Sequence, residues 1–293
     1  MSFGLPYCGS KNKIASWVVE AIAPEGSLFS TRKEYECFVD VFFGGGAISH
    51  YLLENKRSRF KRIIANDILP MPSLFESIMK GKVDLTKYTQ ITREEFMRNK
   101  ALPIQEQDQI IALCYSFGNN RTDYMYSIED SKKPLPECYI DKATGYFALP
   151  KTKCSRKNYE HIERLNRLID IQQLAKKRNL PEFIAKQGDY RNLEIPKGSL
   201  VYLDPPYQDS YSLAYYDKRK STFDMDELYR WATYLTDKLG CDVFMSERQA
   251  PSIFELVAKR DYILGFGETG KKFQSVECVY KLKERQQRKE IER

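Results

Sequence analysis

The chain has 293 residues, 42% of them hydrophobic and 30% charged, enough for one large domain or for a core with an inserted subdomain. Its 47 basic residues against 40 acidic ones give a formal charge of +7, which suits a nucleic-acid partner. The two histidines, His50 and His161, argue against a zinc site or a histidine-based triad, and no apolar run approaches the roughly 20 residues of a membrane span.

At the N-terminus, Gly4-Leu5-Pro6-Tyr7-Cys8-Gly9-Ser10-Lys11 reads as a Gly/Ser turn that carries a lysine. Ile14, Trp17, Val18 and Ile22 then mark one face of a helix. A lysine in such a loop can meet a carboxylate or a phosphate. Cys37 to Phe42 is a buried strand, broken by Phe43-Gly44-Gly45-Gly46 before a helix carrying Ile48, Tyr51 and Leu52. Strand, glycine turn and helix form a nucleotide-binding layout, because glycine lets the backbone approach a ligand and the helix offers free N–H groups. The turn lacks the Lys-Ser/Thr of a phosphate loop and the full GxGxxG spacing, so it favours a ligand with no pyrophosphate to cradle. A second strand, Ile63 to Asp67, ends in an acid roughly 20 residues after the turn, where a βαβ site accepts hydrogen bonds from ribose hydroxyls. A helix over 70–80 follows.

From 85 to 179 the pattern changes. Helices are expected over 92–99 and 105–117. The stretch 117–159 has little periodicity and is rich in Tyr, Lys, Asn and Pro. Asn119, Asn120 and Arg121 lie in a polar turn able to reach base edges, and Tyr124 offers a ring for stacking. The segment 151–179 holds nine Lys/Arg against three Asp/Glu. It reads as an amphipathic helix with Ile162, Leu165, Leu168 and Ile169 inside and a basic outer face. Lys153, Arg156 and Lys157 are its candidate nucleic-acid contacts.

The sheet pattern resumes with a strand over 183–187. Leu200-Val201-Tyr202-Leu203 is a further buried strand and ends in Asp204-Pro205-Pro206-Tyr207. Tandem proline cannot continue the ladder, so the chain leaves the sheet at its carboxyl edge, where open α/β sheets keep their ligands. Residues 208–222 are polar and Tyr-rich and are expected to fold over that edge. A helix capped by Ser221 or Asp224, a strand over 242–246, a helix over 251–259 and a hairpin of 262–266 with 276–282 complete the chain. The seven cysteines are scattered singly with no CxxC pair, which with no secretory leader predicts a reduced, cytoplasmic protein.

Taken together these residues resemble the Dam-type DNA adenine-N6 methyltransferases. Tyr7-Cys8-Gly9-Ser10-Lys11 is similar to the family's N-terminal motif, Asp40-Val41-Phe42-Phe43-Gly44-Gly45-Gly46 to its cofactor motif, Asn66-Asp67-Ile68 to the acid after the second strand, and Asp204-Pro205-Pro206-Tyr207 is identical to its catalytic motif. Gly45 loosens the glycine turn, and Cys8 and Ser10 replace the common small residues. The order of motifs is that of the alpha class, with the recognition insert in the middle. The resemblance implies a Rossmann-like α/β sheet of about seven strands, mostly parallel with one reversed near the C-terminus. Residues 1–84 and 180–293 would form the catalytic domain and 85–179 a mostly helical target-recognition subdomain. It implies S-adenosyl-L-methionine as cofactor, held by Tyr7, Lys11, Asp40, Phe42, Gly44, Gly46, Asp67 and Asp204. Catalysis would fall to Asp204, Pro205, Pro206 and Tyr207. The partner would be double-stranded DNA, with a cognate restriction endonuclease as a conceivable second partner and a monomer as the expected state.

In this reading a flipped adenine presents N6 to two acceptors, the Asp204 carboxylate and the Pro205 carbonyl, while Tyr207 stacks on the ring. The same hydrogen bonds suit the exocyclic amine of cytosine, and the leading Asp leans to adenine only as a family tendency. A silent relative that merely holds DNA is the reading from another class. The insert matches too weakly, around 115–126, to carry over a target sequence.

Overall fold

The computed structural model describes residues 2–23, 35–55, 60–132, 135–150, 154–206, 223–266 and 271–291. Along the chain come helix α1 (Ala15–Ile22), strand β1 (Cys37–Asp40), helix α2 (Ala47–Glu54), strand β2 (Arg62–Asp67) and helix α3 (Met71–Met79). Helices α4 (Arg93–Ala101), α5 (Gln109–Cys114) and α6 (Ile128–Ser131) follow, then the short ribbon β3 (Tyr139–Ile140) and β4 (Phe147–Ala148), and helix α7 (Arg156–Gln173). The chain returns to the sheet with β5 (Glu182–Gln187) and β6 (Leu200–Leu203). Helix α8 (Met225–Leu239), β7 (Asp242–Glu247), β8 (Phe254–Phe266), β9 (Lys271–Leu282) and helix α9 (Arg285–Ile291) come last.

The strands lie in the order β5–β2–β1–β6–β7–β9–β8. The first five run parallel, and β9 is antiparallel to both neighbours. This is the expected seven-strand, mostly parallel sheet with one reversed strand. From β1 the chain steps outward to β2 and β5, then returns to β6 on the other side of β1. The β1–β6 pair is therefore the topological switch point, and a crevice opens outside its carboxyl ends.

Both faces of the sheet are covered, as a parallel sheet requires, and alternation assigns the residues. Phe38, Ile63, Ala65 and Tyr202 face one core with α1, α2, α3 and α7. Val39, Ile64, Val201 and Leu203 face the other with Met225, Leu228, Ala232 and Leu235 of α8. Buried residues of the insert (Phe96, Ile110, Leu113, Leu165) belong to the same core as Phe38 and Ile63, so the insert packs on the sheet instead of enclosing a separate interior.

Local chemistry fixes the helix starts. Thr92 accepts from the Glu95 N–H while Glu95 accepts from the Thr92 N–H, a capping box. Ser155 and Asn158 do the same for α7, and Asp224 caps α8 through the Glu227 N–H. Two expected elements differ. The helix over 105–117 shrinks to Gln109–Cys114, because Asp108 caps it by accepting from Ile110 and Ile111. The helix over 251–259 is instead the start of β8. Phe254 pairs with Leu282 and Leu256 with Tyr280, and an antiparallel ladder that resumes at Ala258 after a register shift outweighs the weak helical spacing of Ile253, Leu256 and Val257. Leu256 and Val257 remain exposed. Among the described residues no helix is long and apolar enough to cross a membrane.

Candidate active site

The crevice is built from four stretches far apart in sequence. After β1, Val41 donates to the Tyr202 carbonyl and Phe43 to the Asn66 carbonyl, so the chain stays anchored to β6 and β2 as it turns. Gly44 and Gly46 take left-handed conformations, φ +51° and +69°, which glycine adopts without the Cβ penalty. The Gly44 N–H donates to Asp67 Oδ2 at 2.8 Å, and the Leu69 N–H donates to Oδ1 at 2.9 Å. The acid that ends β2 is thus locked against the glycine turn. Burial raises the Asp67 carboxyl above its ordinary value, opposed by the N–H groups of Leu69, Gly44 and Ile68.

The N-terminal segment lies on the same turn. The Leu5 N–H donates to the Gly45 carbonyl at 2.7 Å, and the Tyr7 ring covers Gly44, at 3.3 Å from where a Cβ would stand. The segment then brings Lys11 to Asp204. Lys11 is 8% exposed, and its Nζ lies 2.9 Å from Asp204 Oδ1 and 3.5 Å from Glu277 Oε1. Burial works against the ammonium, but the two carboxylates more than offset it and hold its pKa above the usual lysine value. Asp204 itself sits just beyond Leu203, the last paired residue of β6. Below it the Tyr202 and Ser246 hydroxyls meet at 2.7 Å in the buried interior.

Two acids escaped the sequence reading. Glu277 of β9 is 2% exposed. Its only sequence signal is a lone charge inside Val276-Glu277-Cys278-Val279, an otherwise apolar run. Glu247, the last residue of β7, accepts from the Arg248 N–H at 2.7 Å. Its Oε2 is buried with no hydrogen-bond partner among the described residues. Burial pushes its carboxyl up to about 7, with the Asp204 and Glu277 charges adding to the effect. Among the described residues, the Asp204 and Glu277 carboxylates outweigh the Lys11 ammonium even without Glu247, which leaves this end of the crevice anionic and suits a cationic ligand.

Other expected site residues are placed differently. Asp40 is 2% exposed and accepts from the Ser49 hydroxyl at 2.6 Å, so it ties β1 to α2 from inside the core. The Phe42 ring joins Tyr190 and Phe223 at 5.4 and 5.6 Å on the α8 side of the sheet. Pro205 is buried and Pro206 half-buried. Tyr207, Lys153 and the 208–222 segment lie outside the described residues.

In the insert, Asn119 and Asn120 are half-buried and shape the turn itself. Asn119 donates to the Leu113 carbonyl, and Asn120 Oδ1 accepts from the Thr122 and Asp123 N–H groups. Arg121 is 5% exposed and hydrogen-bonded to the Gln109 side chain. Tyr124 is 8% exposed, its hydroxyl on the Ile91 carbonyl at 2.6 Å. Neither side chain is exposed for contact with a duplex. Arg156 is exposed and Lys157 half-buried, 3.9 Å from Asp130. The basic outer face expected for α7 is narrower than its composition suggests, because Arg164 and Arg167 turn inward.

Asp40 sets a stability dependence on pH. Burial, helped by the charges of Asp204 and Asp67, pushes its carboxyl from 3.8 up to about 7. The folded chain then holds the proton more tightly than the unfolded chain between those values, so stability falls as pH rises from about 4 to about 7 and levels off above. Asp40→Asn keeps an acceptor for Ser49 and removes this titration. Urea midpoints of the variant should fall less steeply across that window than those of the wild type, the remaining slope coming partly from Glu247. Identical slopes would show that Asp40 does not titrate there.

The family model of the D12 class N6 adenine-specific DNA methyltransferases matches residues 7–262. No curated protein matches the chain significantly. Among solved structures, an rRNA methyltransferase, aviRa from Streptomyces viridochromogenes, is similar at 12% identity over 86% of this chain and 78% of that one, with a TM-score of 0.34. So loose a superposition bears on neither fold nor activity.

Proposed function

The chain belongs to the D12 class of N6 adenine-specific DNA methyltransferases, and from that premise we infer that the crevice outside β1 and β6 is where the methyl donor and a flipped adenine meet. Methylation of adenine N6 in DNA follows from the family. The cytosine alternative, open on hydrogen-bonding chemistry alone, is not favoured. The observation that carries the site assignment is the Lys11–Asp204 pair at 2.9 Å at the sheet's switch point.

The crevice suits S-adenosylmethionine in three ways. The glycine turn would let a nucleoside approach the backbone. Asp67 keeps acceptor capacity for ribose hydroxyls beyond the N–H groups of Gly44, Ile68 and Leu69, and Ile68, 68% exposed beside it, would give a purine ring an apolar surface. The anionic cluster of Asp204, Glu277 and Glu247 would favour the cationic sulfonium. When bound, this cofactor supplies an electrophilic methyl group on sulfur.

The chain's own residues would do the rest. The duplex hides N6, so the base must leave the stack first. Lys11 takes Oδ1 of Asp204, fixing the carboxylate and leaving Oδ2 to accept one N6 proton. The Pro205 carbonyl, beyond the last paired residue of β6, would accept the other. Two acceptors draw the amine out of conjugation, so that its lone pair is available for attack. Positive charge then develops on N6 against Asp204, an electrostatic effect fixed in advance by folding. The released proton would pass to Asp204 Oδ2. Glu277, by sharing Lys11, keeps Asp204 from being fully neutralised. Positioning of this kind needs no covalent intermediate.

The direct test is to sequence modified bases in DNA from cells expressing the chain, with Asp204→Ala as control. N6-methyladenine at a defined sequence in wild-type cells, absent from the control, is the expected result. Methylcytosine at N4 instead would overturn the base assignment, and unmodified DNA would favour the silent DNA-binding relative.

A further inference from the structure

The inward arginines of α7 have no part in the chemistry above. Arg164 and Arg167 are three residues apart and so share one helix face. Arg164 is 5% exposed. Its Nη1 donates to the Cys114 carbonyl at 3.1 Å and to the Ser116 carbonyl at 2.6 Å, where the polar turn 116–121 begins. Arg167 reaches the other way. Its Nη2 donates to three successive carbonyls, Phe3 at 3.2 Å, Gly4 at 3.3 Å and Leu5 at 2.9 Å.

Those three residues are themselves fastened to the cofactor turn. The Gly4 N–H donates to His50 Nδ1 at 2.8 Å. Burial pushes the His50 pKa down to about 3, so the ring stays neutral and Nδ1 remains an acceptor. Leu5 donates to the Gly45 carbonyl. Gly4 lies so close to the turn that a Cβ there would stand 2.3 Å from the Gly45 oxygen. One helix thus carries the exposed Arg156 at its start, braces the 116–121 turn through Arg164 and holds the segment leading to Tyr7 and Lys11 through Arg167.

We propose that Arg167 is a positioning residue through which α7 couples DNA engagement by the insert to closure of the 3–11 segment over the cofactor. All three bonds come from Nη2, which the planar guanidinium holds in a fixed orientation among the carbonyls, whereas an ammonium is a point charge on a flexible stem. Coupling between two sites is reciprocal. DNA should therefore tighten cofactor binding by the same factor by which cofactor tightens DNA binding. The proposal rests on the methyltransferase reading of the crevice.

Calorimetry measures it. S-adenosylhomocysteine, which cannot methylate, is titrated into the chain with and without a duplex carrying the sequence found modified in cells. Wild type should bind it at least about fivefold more tightly with the duplex present, the low end of ordinary coupling. Arg167→Ala should bring that factor near unity while affinity for the duplex alone stays within about twofold. Should Arg167→Ala unfold, Arg167→Lys carries the test. It keeps the charge, loses the fixed planar placement of the donor, and should lose most of the factor. A wild-type factor of one, or an equal factor in a folded Arg167 variant and wild type, overturns the proposal. Wild type binding neither ligand overturns the methyltransferase reading as well.

Discussion

Asp204→Ala should lower methyl transfer by about 10²–10³-fold or more, the usual loss when one preorganised hydrogen-bonding group is removed from a developing charge. The geometry makes the effect specific. Asp204 stands at the carboxyl tip of β6 as the acceptor proposed for N6, and Lys11 fixes it from 2.9 Å. Removing the carboxylate deletes the acceptor for N6 and leaves the buried Lys11 with Glu277, 3.5 Å away. Affinity for the duplex should survive, because the contacts proposed for the insert are untouched. Asp204→Asn keeps an acceptor oxygen without the charge, so its activity should fall between wild type and the alanine variant. Single-turnover rates with tritiated cofactor separate chemistry from binding. An alanine variant within tenfold of wild type would remove Asp204 from the catalytic role.

Gly46→Ala is expected to be severely destabilising. The residue has φ +69°, a conformation that costs an L-residue about 1–2 kcal/mol. The added Cβ would also stand 2.0 Å from Cζ of Phe43. That ring cannot swing clear, being 4% exposed and packed against Phe75 and Phe183 at 5.5 and 6.0 Å. Overpacking of this kind adds about 1–3 kcal/mol, so the total is roughly 2–5 kcal/mol, a large part of a typical domain's stability. Gly81→Ala is the matched control. Its φ is +67°, yet nothing lies within 4 Å of the added Cβ, so only the backbone penalty applies. Urea midpoints should separate the two variants clearly. Equal losses would mean that Phe43 yields and that the glycine turn is not tightly built.

The insert shows why composition is a poor guide to surfaces. Tyr124 reads as a ring free to stack on bases, but it is buried, as are its neighbours Tyr115 and Tyr126. The hydroxyl of Tyr115 rests on the Tyr88 carbonyl and that of Tyr124 on the Ile91 carbonyl. A tyrosine has an apolar body and a polar tip, so a Tyr-rich stretch without periodicity serves a core as readily as an interface. Arg121, Arg164 and Arg167 are similar cases. Apart from Glu160, one turn before Arg164, their acceptors are backbone carbonyls and glutamines from other segments, which no local pattern announces.

The sequence by itself determined the sheet and the chemical character of its edge. Apolar runs of strand length, the glycines after β1, the acid after β2 and the Asp-Pro-Pro after β6 are local signals, because strand propensity, left-handed turns and missing N–H groups are properties of neighbouring residues. Tertiary structure alone decided which charges meet. Lys11, Asp204 and Glu277 lie in three elements spread over most of the chain, and they converge only because β6 returns beside β1 and β9 runs back beside β7. It also decided that Asp40 faces the core, since alternation along β1 turns that residue toward α2 and not into the crevice. Pairing across such separations is set by the order of strands, which no short window of sequence contains.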